Sequence, residues 1–169
     1  MKNIFLSLLL ILQIPGNSST QDFRNVSFGM SKVEVKTAES ADLIADQDNM
    51  IVYSDQIASI DVSVVYVFTD GLLTEGMLVS AEKYSNSNQY YEDYLRLKSL
   101  LSEKYGKAVN NENWNNTQYK ESPANIGTAL SLGQVSFLSK WEDDPRIKVS
   151  LLLQGKNHKV NLIVKYTNP

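Results

Sequence analysis

Ile147-Lys148-Val149-Ser150-Leu151-Leu152-Leu153-Gln154-Gly155-Lys156-Asn157-His158-Lys159-Val160-Asn161-Leu162-Ile163-Val164-Lys165-Tyr166 is the stretch that decides the fold. Ile147, Val149, Leu151 and Leu153 recur at every second position, and so do Val160, Leu162, Val164 and Tyr166. A strand turns successive side chains to opposite faces, so each set lines one face of an extended segment. Closing a hairpin about Lys156-Asn157 pairs Leu153 with Val160, Leu151 with Leu162, Val149 with Val164 and Ile147 with Tyr166. All eight then share one side of an antiparallel pair, which a one-residue slip would destroy.

The same reasoning extends upstream to Asp70-Gly71, a dipeptide suited to a type I′ turn because both central positions need positive φ. With that turn Phe68 faces Leu73, Val64 faces Met77 and Val62 faces Val79, while Glu75 opposite Tyr66 interrupts the apolar stripe. Strands are expected over residues 60–69 and 72–83, with a shorter one at 49–54. Residues 135–141 alternate too, with Val135, Phe137 and Trp141 on one side. Glu142-Asp143-Asp144-Pro145 supplies the following turn.

Helix signals separate these strands. Ser31 and Glu34 form a capping box, with Met30 and Val35 at the staple positions, and predict a helix over residues 32–40. Ser87 or Asn88 begins a longer helix to residue 104, in which Tyr90, Tyr94, Leu97, Leu101 and Tyr105 make one apolar stripe. Gly106 stands past its end. Residues 107–120 hold five asparagines around Trp114 and predict an exposed loop. Pro123 after Ser122, with Gly133 beyond, frames a short helix burying Ile126, Ala129 and Leu130. Helices plus antiparallel strands imply an α+β domain over residues 22–169, with helices packed on one face of an antiparallel sheet. Both halves read as helix followed by sheet, suggesting two degenerate helix-plus-sheet repeats at 30–84 and 86–167. The strands leave their other face to water or to a partner.

The N-terminus sets the compartment. Lys2 precedes an apolar run from Ile4 to Ile14, and Pro15-Gly16-Asn17-Ser18 then offers a breaker and small residues. That order is expected of a secretory signal peptide spanning residues 1–18, cut after Ser18. The run is well short of the roughly 20 residues that span a bilayer as a helix. The remaining chain of about 150 residues is long enough for one core. Sixteen basic against nineteen acidic side chains give a formal charge of −3, and the basic residues are scattered, which argues against a nucleic-acid partner. The chain has no cysteine, so disulfides, thiolate metal sites and thiol catalysis are excluded.

Phe28-Gly29-Met30-Ser31-Lys32-Val33-Glu34-Val35 resembles the G-M-[ST]-x-x-x-V helix start of small exported bacterial domains, among them outer-membrane assembly lipoproteins of the BamE type and β-lactamase-inhibitor-like folds. The later set Lys104-Tyr105-Gly106-Lys107, Trp114, Gly127-Thr128-Ala129-Leu130, Gly133 and Trp141 is similar to an uncharacterised family of small secreted bacterial proteins. The chain lacks the lipidated cysteine of the assembly lipoproteins, and Ala38-Glu39-Ser40 stands where they carry a leucine-glycine-x-proline exit. The resemblance implies fold and export, with no assigned activity.

Chemistry is sparse. His158, the only histidine, falls in a turn with no nucleophile elbow elsewhere in the chain. Glu142, Asp143 and Asp144 are adjacent acids before Pro145, a setting for solvated carboxylates rather than for a pair held across a cleft. They also lack the spaced pattern and glycine of a calcium loop. No glycine-rich phosphate loop is present. Trp114 among asparagines is either a loop anchor or a stacking surface for a sugar or peptide. No catalytic, cofactor-binding or metal residue is therefore assigned. The expected function is an exported, non-catalytic binding or accessory protein of the bacterial envelope, with an envelope protein or glycan as partner and no cofactor. The alternative is a small carboxylate-dependent hydrolase acting on carbohydrate or peptide.

Overall fold

Three two-residue turns organise the chain, each with left-handed backbone at both central residues: Ala58-Ser59, Asp70-Gly71 and Asn157-His158. Such turns match the twist of the strands they join. The computed structural model describes residues 21–115, 119–120 and 123–169; the expected signal segment and its cut site lie outside the described residues. The elements are α1 (Lys32–Ala38), β1 (Asp42–Gln47), β2 (Met50–Ile57), β3 (Ile60–Thr69), β4 (Leu72–Ser80), α2 (Asn88–Tyr105), β5 (Val109–Trp114), α3 (Ile126–Ser131), β6 (Val135–Trp141), β7 (Lys148–Lys156) and β8 (Lys159–Thr167). A 3₁₀ turn at Pro123–Asn125 leads into α3.

All eight strands form one antiparallel sheet in the order β1-β2-β3-β4-β8-β7-β6-β5. This corrects the expected α+β class, helices packed on one face of an antiparallel sheet, because strands far outweigh helices; the spans 30–84 and 86–167 of the possible repeats each hold four strands, with α1 in the first and α2 and α3 in the second. The molecule is predominantly β, and one continuous sheet runs through both halves. The expectation failed at β1 and β5, which local sequence hides. β5 is Val-Asn-Asn-Glu-Asn-Trp, a run of strand-averse residues that is extended because it pairs with β6, from Val109 opposite Lys140 to Trp114 opposite Val135. Strand preference follows from such neighbours more than from the backbone, so an edge strand can form against its own composition.

The helix starts follow their caps. At α1 the Ser31 N–H donates to Glu34 Oε2 at 2.7 Å and the Glu34 N–H donates to Ser31 Oγ at 3.4 Å, completing the capping box. Val35 is fully buried, and the helix ends at Ala38, short of residue 40. Helix α2 has no side-chain cap at Ser87. Asn88 instead accepts the Gly127 N–H at 2.6 Å and donates to the Ala124 carbonyl at 3.3 Å, tying α2 to α3.

Register departs from expectation at both hairpins. The C-terminal turn is centred on Asn157-His158, not Lys156-Asn157, so Leu153 pairs with Leu162, Leu151 with Val164 and Val149 with Tyr166. Each partner moves by two residues, which leaves the buried face unchanged. The Asp70-Gly71 hairpin departs more deeply. Phe68 pairs with Leu73 as expected, but Val67 pairs with Glu75, so Thr74 is an extra residue on β4. This bulge inverts the facing of the rest of the strand. Gly76 and Leu78, not Met77 and Val79, stand opposite Tyr66 and Val64.

The inversion has a packing partner. A Cβ on Gly76 would lie 2.2 Å from Phe23 Cδ1, so only glycine admits the Phe23 ring there. Phe23 packs edge-on against Tyr66 and tilted against Tyr166, at ring separations of 5.3 and 4.9 Å. With Val26 and Val35 it covers β1–β4, while α2 and α3 cover β6, β7 and β8 through Tyr90, Tyr94, Leu97, Leu101, Ala129 and Leu130. All three helices therefore lie on one face, and no described helix covers the other.

Gly76→Ala is expected to cost about 1–3 kcal/mol by overpacking. In a Phe23→Ala background that cost should largely vanish, giving a coupling of about 1 kcal/mol or more in a double-mutant cycle read by denaturant unfolding. Equal costs in both backgrounds would contradict the seating of Phe23 on Gly76.

Candidate functional site

The residues with chemistry at stake in the sequence are not brought together. Trp114 lies at the end of β5, half-buried against the core on the helix-covered face, and its indole N–H donates to Glu112. It is thus an anchor on an edge strand, not the tip of a loop; residues 116–118 and 121–122 of the expected loop lie outside the described residues. His158 occupies an exposed turn, and its backbone N–H donates to the Ser131 carbonyl at 2.8 Å, docking the hairpin on α3. Asp144 accepts the Arg146 N–H at 2.8 Å and its guanidinium at 3.1 Å. The backbone bond, with the guanidinium beside it, holds its carboxyl below the usual range. Glu142 meets Lys140 at 3.9 Å, and Glu75 meets Lys165 at 2.8 Å. Glu142, Asp144 and Glu75 each face a cation, unlike the acid facing an acid that glycoside hydrolysis requires. Among the described residues no group of three His, Asp or Glu is placed to hold a metal ion.

A connected cluster of titratable groups lies under the N-terminal segment. Glu39, its side chain fully buried, accepts Arg24 Nε at 2.9 Å, the Tyr66 hydroxyl, and the backbone N–H groups of Ser40 and Ala41 at 2.8 and 3.0 Å. Burial would raise its carboxyl, but these bonds together hold it below the ordinary value. Tyr66 is pushed far up by burial and by the same carboxylate. Arg24 also reaches Asp55 at 2.7 Å, so the cluster fastens residues 24–39 to β2 and β3. The Glu39 side chain is closed off from solvent, and its role is to lock the cover in place.

The uncovered face of the sheet is different in kind. Two rows of side chains cross all eight strands on it. One runs Ala45, Val52, Val65, Met77, Lys165, Ser150, Lys140, Val109. The next runs Asp42, Ser54, Ser63, Val79, Ile163, Leu152, Leu138, Asn111. The rows change character in opposite senses at the β4–β8 seam. Aliphatic residues fill β2–β4 of the first row and β4, β8, β7 and β6 of the second, meeting at Met77 and Val79. Lysines occupy one remaining corner and aspartate with serines the other.

Each polar corner is a cleft. Lys140, Lys148, Lys165, Ser150 and Thr167 line one of 340 Å³, together with Glu142 and Val149. Asp42, Asp61, Ser54, Ser63 and Gln56 contribute to one of 510 Å³ at the ends of β1–β3. Among the described residues, every aromatic on a strand is on the covered face: Tyr53, Tyr66, Phe68, Trp114, Phe137, Trp141 and Tyr166. Sequence reading assigned none of the bare-face residues. Its available signal was the apolar character of the alternate positions Leu152 and Ile163, which a fully solvated face would not need.

Because Glu39 is lowered in the folded state, the stability it contributes is present above its unfolded value of about 4.3 and is lost as pH falls through its folded value. The thermal midpoint of Glu39→Gln, measured between about pH 7 and about pH 2, is therefore expected to fall less steeply on the acid side than that of the parent chain. Parallel curves would contradict the ionised Glu39 lock.

No protein-family model matches the chain, and neither a curated protein nor a solved structure is significantly similar to it.

Proposed function

We propose that the protein is an exported, non-catalytic binding or accessory module of the bacterial envelope that presents the bare face of its sheet to a polypeptide. The observation that carries this reading is the contiguous aliphatic band on that face, running from Val52 through Met77 and Val79 to Leu138. A sheet face left to water alternates polar residues outward, whereas an apolar patch rimmed by charge marks a contact surface. The absence of strand aromatics from this face favours a polypeptide over a glycan, because sugars are held largely by aromatic planes and polypeptide interfaces accept aliphatic cores. Export rests on the charged, apolar and small-residue order of residues 1–18. No described helix is long and apolar enough to cross a membrane.

Incorporating a photo-reactive phenylalanine analogue at Val79 or at Leu152 tests the surface. Illumination in the envelope is expected to give discrete protein adducts from these positions and none from Leu95, which is exposed on α2. Adducts from Leu95 alone, or none from either bare-face position, would refute the reading.

A further inference from the structure

We infer that the polypeptide seated on the bare face is a second copy of this chain, packed face to face about a two-fold axis. The inference rests on the binding role proposed above for this face and names its occupant. The observation is the diagonal arrangement of character across the sheet. In the two central rows one pair of opposite quarters is aliphatic, with a polar outer row of Asn161, Gln154, Ser136 and Asn113 beyond one of them; the other pair is basic, with Lys140 and Lys148, and acidic, with Asp42 and Asp61.

A two-fold interface is isologous, so each patch must find its complement on the same surface of the partner. An axis lying in the interface, oblique to the strands along the aliphatic diagonal, brings the acidic corner of one copy over the basic corner of the other. It does so twice. An axis along the strands, or one perpendicular to them, would instead set aliphatic residues against charged ones, leaving charge desolvated without a partner. The oblique axis makes the strands of the two sheets cross steeply, which is one of the known modes of sheet-on-sheet packing.

Crossed steeply, two faces of eight strands about 4.8 Å apart and four side-chain rows about 6.7 Å apart share a central patch of roughly 400 Å² in projection, the size of a small, reversible interface. The charged corners are accessible: Asp42, Asp61 and Lys140 are exposed, and Lys148 is half-buried. Lys165 already meets Glu75 at 2.8 Å and Lys140 meets Glu142 at 3.9 Å, whereas Lys148 donates to the neutral Glu142 carbonyl at 2.7 Å, so the Lys148 ammonium carries the charge that a partner's aspartates would face.

Charge exchange tests the pairing on the whole purified chain. Sedimentation is expected to show a dimer for the parent chain. Lys140→Glu with Lys148→Glu, and separately Asp42→Lys with Asp61→Lys, should each weaken it about a hundredfold through like-charge contacts. An equimolar mixture of the two variants should regain the dimer, because both corner contacts are then complementary. Circular dichroism of each variant should match the parent chain, which separates lost pairing from lost folding. A monomeric parent chain, or a dimer that survives both exchanges, would overturn the inference. If the parent chain is monomeric while Val79 and Leu152 still crosslink to a different protein, only the second copy is refuted. If those crosslinks are absent as well, the binding role of the face falls with it.

Discussion

Thr74 is one residue too many on β4, and the architecture turns on it. Up to Leu73 the hairpin follows the register set by its Asp70-Gly71 turn; beyond Thr74 every side chain of β4 faces the opposite way. The inversion puts Gly76 beneath Phe23 and lets the N-terminal segment close over β1–β4. It also turns Glu75 to the bare face, where it meets Lys165 of β8, and leaves Met77 and Val79 on that face. Without the bulge, a carboxylate would enter the core opposite Tyr66, where Arg24 is already engaged by Glu39 and Asp55, at a cost of several kcal/mol. One inserted residue therefore decides both what the core excludes and what the surface offers.

The two faces of the sheet have been given separate work. Aromatic rings, the Glu39–Arg24–Tyr66 cluster and all three helices stay on the covered side, where they hold the cover to the sheet. Aliphatic side chains and opposed charges occupy the other. The acids that suggested hydrolysis are distributed by the same logic: Asp144 caps its own turn, Glu142 flanks Lys140 and Glu75 neutralises Lys165. What they support is a patterned surface rather than a reaction centre, and a patterned sheet face is the basis of the proposed binding role.

Strands with strong period-two patterns were legible in the sequence. The bounds of β3 and β6 agree with the structure, as do the buried positions of β7 and β8, because alternation over seven or more residues leaves little choice of face. The capping box at Ser31 and the stripe on α2 were legible for similar reasons. The two edge strands were not. Asn110, Asn111 and Asn113 carry no local preference for extension, and β5 exists through its bonds to β6 alone. The bulge was hidden as well, since Leu72-Leu73-Thr74-Glu75-Gly76-Met77-Leu78-Val79 offers apolar residues to either face. The apparent defect of Glu75 in the stripe was its trace, and Gly76 beside it marked where another chain segment comes close. The candidate surface followed from that inversion, so a reading that placed Met77 and Val79 inside could not assemble it.

The chain has no cysteine, so single cysteines introduced on β4 report facing without background. Native-state thiol labelling of Met77→Cys, Leu78→Cys and Val79→Cys tests the inversion directly. At dilutions that dissociate a face-to-face pair, positions 77 and 79 are predicted to react readily with a water-soluble maleimide, and position 78 only after unfolding. Rapid labelling at 78 with protection at 77 and 79 would mean that β4 continues without the bulge, and the account of both faces would fail.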